Sequence, residues 1–357
     1  MPTIWCAISG HGYGHAAQVV PVLNELGGRV AHLHAFLRTT VPASFFQGRL
    51  RIPWSLQPVT QDVGCVQNGP LDIDVPATWE GHRNFHATWE ARKQAELAAM
   101  RAADPTIVLA DTSYLAVSAG KQAGIPSILL ASLTWSEILK SLDHAAIDEG
   151  LLQLIRRCYL EADMALRVTP GLPLSGVTNV LDISPIGEPG DPRRDELRAG
   201  LKISTEERLI LIAFGGIPLE SLPWQQMERM QGYCFLVDGI PPLSSSRVHS
   251  IAGLPFSFKT VLASVDAVMT KPGYGTIVES VACGVPAVYV RRHNFAEEAP
   301  LVEFLHRYGS GCELTRRDFL SGNWQPAFEA IPTAKPAPQF LPTGAAEAAE
   351  LLLPYFQ

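Results

Sequence analysis

Residues 268–290 read VMTKPGYGTIVESVACGVPAVYV and are followed at 291–298 by RRHNFAEE. The apolar run at 265–270 predicts a short buried strand, and Lys271-Pro272-Gly273-Tyr274-Gly275 a turn that brings backbone close to whatever lies above it. Thr276 is placed to cap a helix running to Cys283, which Gly284-Val285-Pro286 stops, and 287–290 is the next strand. Such a unit offers free backbone N–H groups and a helix dipole to an anion. Glycine suits the turn because a side chain would hold a phosphate off the backbone. Glu279 lies one turn further on the same face, where a carboxylate can accept both hydrogen bonds of a ribose diol. The loop carrying Arg291, Arg292, Glu297 and Glu298 sits at the carboxyl end of a strand, where open α/β sheets bind ligands. The same unit also serves many doubly wound sheets as plain scaffolding.

Outward from this stretch, the chain of 357 residues suits two α/β domains, each able to bury its own core. Hydrophobic residues make up 47% and charged residues 18%, a globular balance. The expected division is 1–185, a Pro/Gly-rich linker at 186–205, 206–340, and a terminal segment at 341–357 ending in a helix. A net charge of −7 argues against a nucleic-acid partner, which needs basic surface. No apolar run reaches the roughly 18 residues of a membrane span. The apolar start runs straight into Gly10-His11-Gly12 without a basic leader, so it reads as a first strand and not a signal peptide. Six scattered cysteines without a CxxC pair imply buried thiols in a reducing cytoplasm and no zinc site.

The first half opens with a strand at 3–9, the turn Gly10-His11-Gly12-Tyr13-Gly14-His15, and a helix at 16–26 with Pro21 near its first turn. The glycine spacing is not G-x-G-x-x-G, and no acidic residue ends the second strand, so a dinucleotide is disfavoured. Instead the turn offers two histidines at a strand end, with Gly12 and Gly14 removing steric cover. Imidazole titrates near neutral pH, as a general base for an acceptor hydroxyl must. His15 is the first candidate and His11 the second; the competing reading is that a histidine caps the helix. In the polar loop 61–74, Asp62 and Gln67 are candidate acceptor contacts, or Asp62 closes an Asx turn. Residues 77–103 predict one long helix whose Trp79, His82, His86 and Trp89 share a face, either core or a stacking surface. Asp111 ends a strand beginning at 106, and Thr134-Trp135 follow the strand 127–131. Asp111 either orients the histidine base or caps the next helix; Trp135 is a candidate acceptor contact. In the second half, 208–214 is a buried strand ending at Gly215-Gly216.

These motifs resemble the donor-nucleotide site of the GT-B glycosyltransferases, including the peptidoglycan N-acetylglucosaminyltransferase and diacylglycerol galactosyltransferase group. The pattern G-H-G-x-G-H and the segment 62–74 most resemble the glycosyltransferase-like N-terminal region of L-arabinokinase and its bacterial relatives. The resemblance implies an α/β GT-B fold, two Rossmann-like domains facing a cleft, with the last helix crossing back to the first. It implies Glu279 on ribose, Gly273 and Gly275 at the diphosphate, and Glu297 with Glu298 on sugar hydroxyls. It also turns Gly215-Gly216 toward the phosphates and puts the base near Phe256. Ile217-Pro218 departs from the usual polar continuation, and Pro218 removes one N–H donor. The expected activity is transfer of a hexosyl or N-acetylhexosaminyl group from a nucleotide-sugar, taken as a UDP-sugar, to a small-molecule, lipid or glycan hydroxyl. Neither cofactor nor metal is expected: Lys271, Arg291, Arg292 and the N–H groups would meet the leaving charge. Peripheral contact with a membrane and the oligomeric state stay open. A UDP-sugar 2-epimerase and a non-catalytic nucleotide-sugar-binding protein are the rival readings. Leu243-Ser244-Ser245-Ser246 lacks the flanking residues of a sugar-kinase phosphate loop.

Overall fold

A computed structural model of the chain describes residues 1–142, 147–215, 222–239, 241, 245–292, 294–333 and 340–357. Short apolar runs followed by helices build two all-parallel sheets. The first contains β1 (Thr3–Ile8), β2 (His34–Arg38), β3 (Trp54–Gln57), β4 (Ile107–Asp111), β5 (Ser127–Ala131), β6 (Met164–Val168) and β7 (Val180–Ile183), in the order β3-β2-β1-β4-β5-β6-β7. The second contains β8 (Arg208–Ile212), β9 (Tyr233–Val237), β10 (Val248–Ser250), β11 (Ala267–Thr270), β12 (Ala287–Tyr289) and β13 (Gly311–Glu313), in the order β10-β9-β8-β11-β12-β13. In each sheet the chain grows one way from its first strand and then returns to grow the other way. Ligand crevices open at such reversals, outside the strand ends. The reversals lie between β1 and β4 and between β8 and β11, so the turns after 8, 111, 212 and 270 bound the crevices.

Four local expectations change. The helix expected over 77–103 is two helices, Val75–Ala87 and Trp89–Ala103. Thr88 leaves helical geometry at the break, and its hydroxyl donates to Phe85 O at 3.3 Å, the competition for backbone partners that weakens threonine inside helices. Pro21 lies well inside the helix Gly14–Gly27 rather than in its first turn. The helix after β11, Tyr274–Ala282, starts with Gly273 as its N-cap, so Thr276 lies in the first turn and does not cap. The strands β7, β10 and β13 are also present, although none has a fully buried run to mark it.

The two sheets are joined by more than the connecting segment. Helix Gly344–Leu352 packs on helix Gly14–Gly27 of the first lobe, burying Ala348, Ala349 and Leu352 in a core that also includes Val278 and Val281. Tyr274 is buried, and its hydroxyl donates to Thr169 O at 2.9 Å while accepting from Ile186 N–H at 3.0 Å. This corrects its expected place against the ligand: the phenol faces the first lobe and the connecting segment. Tyr274→Phe is expected to cost about 1–3 kcal/mol, because it strands a buried N–H and C=O; denaturant unfolding followed by circular dichroism measures it. Among the described residues no helix is long and apolar enough to cross a membrane.

Candidate active site

His15 is the second residue of helix Gly14–Gly27, at the end of β1, and Asp111 is the last residue of β4. Adjacent strands place them together, with His15 Nδ1 3.1 Å from Asp111 Oδ1. Burial would depress the imidazole, but Asp111, and after it Asp62 and Glu297, outweigh burial and hold His15 up at about 9. Asp111 does not cap the following helix; Ser113 does, accepting from Ala116 N–H at 3.2 Å. Between them Thr112 has φ +54°, a strained conformation for a β-branched residue. Tyr159 fixes this bend by donating to Thr112 O at 2.7 Å.

His11 is held differently. Its backbone N–H donates to Ser9 Oγ at 3.2 Å, and its ring Nε2 is 3.1 Å from Gln67 Nε2. Burial, then the neighbouring His15, Lys271 and Arg292, push it down to about 3, so at neutral pH it is uncharged. Asp62 accepts from Ser9 Oγ and from Trp135 Nε1, each at 2.9 Å. Both its oxygens are therefore committed within the protein, and burial pushes its carboxyl up to about 6. Trp135 is wholly buried and stands edge-on to His11 at 5.3 Å. Asp62 and Trp135 thus support the histidines from below and do not offer an open acceptor wall. Neither does Gln67, whose amide nitrogen meets His11 Nε2 and whose Oε1 is buried. Space is open where side chains at Gly12 and Gly14 would project, and Gly12 has φ +79°. Trp79 and His82 are wholly buried, and the rings of His86, Trp89 and Tyr114 pack against one another in a cluster, so that helix face is core.

Across the cleft, Lys271 follows β11. Its Cε lies 3.5 Å from the point where a side chain on Gly215 would begin. Burial and then Arg292 bring the Lys271 ammonium down to about 7. The N-terminus of helix Tyr274–Ala282 has no side-chain cap, and open space surrounds the Cβ position of Gly275. Gly273 occupies the N-cap itself. Glu297 accepts from Ser132 Oγ of the first lobe at 2.8 Å, and burial raises its carboxyl. Glu298, expected on sugar hydroxyls, is instead fully buried and accepts from Arg292 N–H at 2.9 Å and Arg292 Nε at 2.6 Å. This correction also removes Arg292 as a free cation, since its guanidinium is paired with Glu298 and lies 4.0 Å over the Phe295 ring. Arg291 is more open, with Nε 3.8 Å from Glu298. Glu279 points toward the connecting segment rather than toward His15: Lys259 Nζ is 3.6 Å away and in turn meets Glu188 at 2.7 Å. Burial raises the Glu279 carboxyl. Phe256 is half-buried against the core, beside Ser257, which caps the next helix. Gly216 lies outside the described residues, as do Ile217, Pro218, Leu243 and Ser244.

Three supporting residues have no motif to announce them: Ser9, Ser132 and Tyr159. Their positions immediately after β1, immediately after β5 and on a helix flank carried the only signal. Among the described residues, no cluster of three or more His, Cys, Asp or Glu side chains could hold a metal ion.

No family model matches the chain. L-arabinokinase of Arabidopsis thaliana is 28% identical over 341 residues, a match covering 92% of this chain and 32% of the relative. The chain therefore spans about a third of the length of that curated relative. Among solved structures, Phytolacca americana UGT2 complexed with UDP-2-fluoro-glucose and pterostilbene is 14% identical at a TM-score of 0.62, covering 99% of this chain and 94% of that one. The calicheamicin glycosyltransferase CalG4 is 16% identical at 0.63, covering 99% and 94%. Acinetobacter baumannii MurG is 14% identical at 0.57, covering 98% and 99%. Two facing parallel sheets with these likenesses define an α/β GT-B fold.

Proposed function

We propose that the chain is a glycosyltransferase that moves a sugar from a nucleotide-sugar, taken as a UDP-sugar, to a hydroxyl of a small-molecule, lipid or glycan acceptor. One observation carries this reading. Glu297, from the lobe with the open helix N-terminus, belongs to the charge environment of His15 on the other lobe and is hydrogen-bonded to that lobe's Ser132. This supports a base and an anion site that share one cleft. The nucleotide sugar of the UGT2 complex supports the choice of donor.

In this reading the diphosphate lies over Gly275 at the N-terminus of helix Tyr274–Ala282, with Lys271 beside it. Glu279 meets the ribose, exchanging Lys259 for the diol, and Glu297 meets sugar hydroxyls. Asp111 engages His15 at Nδ1 and leaves Nε2 for the acceptor. The acceptor oxygen bonds to the anomeric carbon, its proton passes to His15, and the bond from that carbon to the diphosphate breaks. The leaving charge falls on N–H groups and Lys271, with no metal required by this chemistry. His11, held near 3, is too weak a base for this step and acts as a neutral polar wall. We further propose that residues 1–185 and 206–340 form the acceptor and donor lobes, and that the buried thiols suit the cytoplasm.

A thermal-shift panel of UDP, GDP, dTDP and their sugars tests the donor. UDP compounds are expected to stabilise the protein most, and no response at millimolar concentration would remove the donor assignment. Glu279→Ala is expected to weaken UDP-sugar binding about 10- to 100-fold, the loss of charged hydrogen bonds to the diol. Titration calorimetry reads this directly. Incubating the protein with UDP-N-acetylglucosamine alone and analysing the sugar separates transfer from 2-epimerisation.

A further inference from the structure

The loop between β3 and helix Val75–Ala87 ends in a small hairpin at 66–74. Gln67 and Ile73 pair antiparallel, Asn68 N–H donates to Asp72 O at 3.0 Å, and Asp74 N–H donates to Val66 O at 2.9 Å. Its root encloses His11. Gly64, with φ +70°, lies so close to the ring that a Cβ there would fall 2.5 Å from His11 Nδ1. The Gly64 carbonyl accepts from His82 Nε2 at 2.9 Å, and Gln67 reaches His11 Nε2. Its tip leaves the first lobe. Leu71 is buried in the apolar cluster of Ile212, Phe214 and Phe319, and the Asp72 carboxylate receives both terminal nitrogens of Arg316. The exchange is reciprocal: Phe295, beside Glu297 on the second lobe, is buried in the first lobe's cluster with Trp135 and Leu133.

We propose that this hairpin is a strap through which docking of the second lobe orients His11, with Leu71 and Asp72 as positioning residues and Gln67 as the group that touches the ring. The geometry leaves little slack. Gln67 is paired with Ile73, the immediate neighbour of Asp72, so displacement of the tip displaces the amide. A neutral imidazole has two tautomers, and a fixed partner at Nε2 selects one of them. The described seat of Leu71 is made by second-lobe residues, so in this proposal His11 takes its working orientation when the lobes are engaged. The glycosyl-transfer reading is needed only for what His11 faces; the state of the ring can be read without it.

The full chain labelled with 15N-histidine provides the test, with His11 assigned through His11→Asn. Long-range proton–nitrogen spectra are expected to show one neutral His11 tautomer in the parent. Leu71→Ala, Arg316→Ala and Gln67→Leu are each expected to convert it to an averaged mixture of two, while His15, tied to Asp111 of its own lobe, keeps its signals. The exchanged pair Asp72→Arg with Arg316→Asp is expected to restore the single tautomer. Arg316 is half-exposed, so its variant keeps the fold and decides the matter if Leu71→Ala does not. A single tautomer retained in Arg316→Ala would overturn the strap, and one retained in Gln67→Leu would remove Gln67 from it. Failure of every nucleotide in the thermal-shift panel, with the tautomer response intact, would sink the glycosyltransferase reading and leave the strap standing.

Discussion

His15→Ala is expected to lower turnover about 10²- to 10⁴-fold, the usual contribution of a general base, with donor affinity unchanged. The asymmetry follows from the geometry: the imidazole lies on the first lobe against Asp111, while the groups proposed to hold the donor are Lys271, Gly275 and Glu279 of the second. With His15 held at about 9, its base form is scarce at neutral pH. The pH profile of kcat/KM should therefore rise about tenfold per unit through neutrality and level off near 9. Asp111→Asn removes the largest charge opposing burial. The imidazole then falls, the plateau begins at lower pH, and its height drops because a weaker base receives the proton. Stability carries the same sign. A histidine raised in the folded state stabilises fully below its unfolded value of about 6.5, and that stabilisation disappears as pH climbs through about 9. Lys271, lowered to about 7, contributes the opposite slope over the same range in both proteins, so the parent should lose denaturant resistance relative to His15→Ala between these limits. Wild-type turnover in His15→Ala would remove the imidazole from the role of base.

The features legible in the sequence were those written in neighbouring residues. The buried strands β8 and β11 are largely apolar runs, and a glycine follows three residues after each, Gly215 and Gly273. The glycines around His11 and His15 fall within six consecutive positions, 10–15, so the histidine turn can be read without any knowledge of the fold. The sequence misleads where a distant residue decides. Trp135 looked like an acceptor contact because it follows a strand end; its indole instead supports Asp62, which lies 73 positions away. Tyr274 stands in the middle of the glycine turn, yet its hydroxyl serves Thr169, 105 positions back, and that anchorage accompanies a helix start earlier than Thr276. Glu298 differs in kind. Its partner Arg292 lies six positions away within RRHNFAEE, so charge alternation alone could have suggested a local pair. The short strands β10 and β13 had no apolar run to reveal them, being edge strands that need neither two buried faces nor length.

Glu96→Ala is expected to destabilise the protein by about 3–5 kcal/mol, the cost of stranding one partner of a buried ion pair. Glu96 is 1% exposed and accepts from Trp5 Nε1 at 2.9 Å, Arg38 Nη2 at 2.6 Å, Arg38 Nε at 3.3 Å and Gln61 Nε2 at 3.1 Å. Alanine would leave the guanidinium, an indole N–H and an amide without their shared acceptor under the sheet. Glu96→Gln should lose less, since an amide oxygen still accepts although the charge is gone. The pair replaced together, Glu96→Leu with Arg38→Met, should recover the part of the loss that comes from the unpaired charge, while the stranded Trp5 indole N–H and Gln61 amide keep it below the parent. Denaturant midpoints followed by circular dichroism distinguish these outcomes, and a Glu96→Ala loss below about 1 kcal/mol would contradict the burial argument. The effect should reach the cleft as well. Gln61 also accepts from Ser113 Oγ at 2.7 Å, and Ser113 caps the helix that follows Asp111, while Asp62 is the next residue in the chain. Glu96 is thus a common root for the loop beneath His11 and the turn that presents Asp111. Its loss should depress turnover under conditions where the chain remains folded, whereas the Leu/Met pair, which removes the unpaired charge but not the need of Gln61 for an acceptor, should recover part of the stability without recovering turnover.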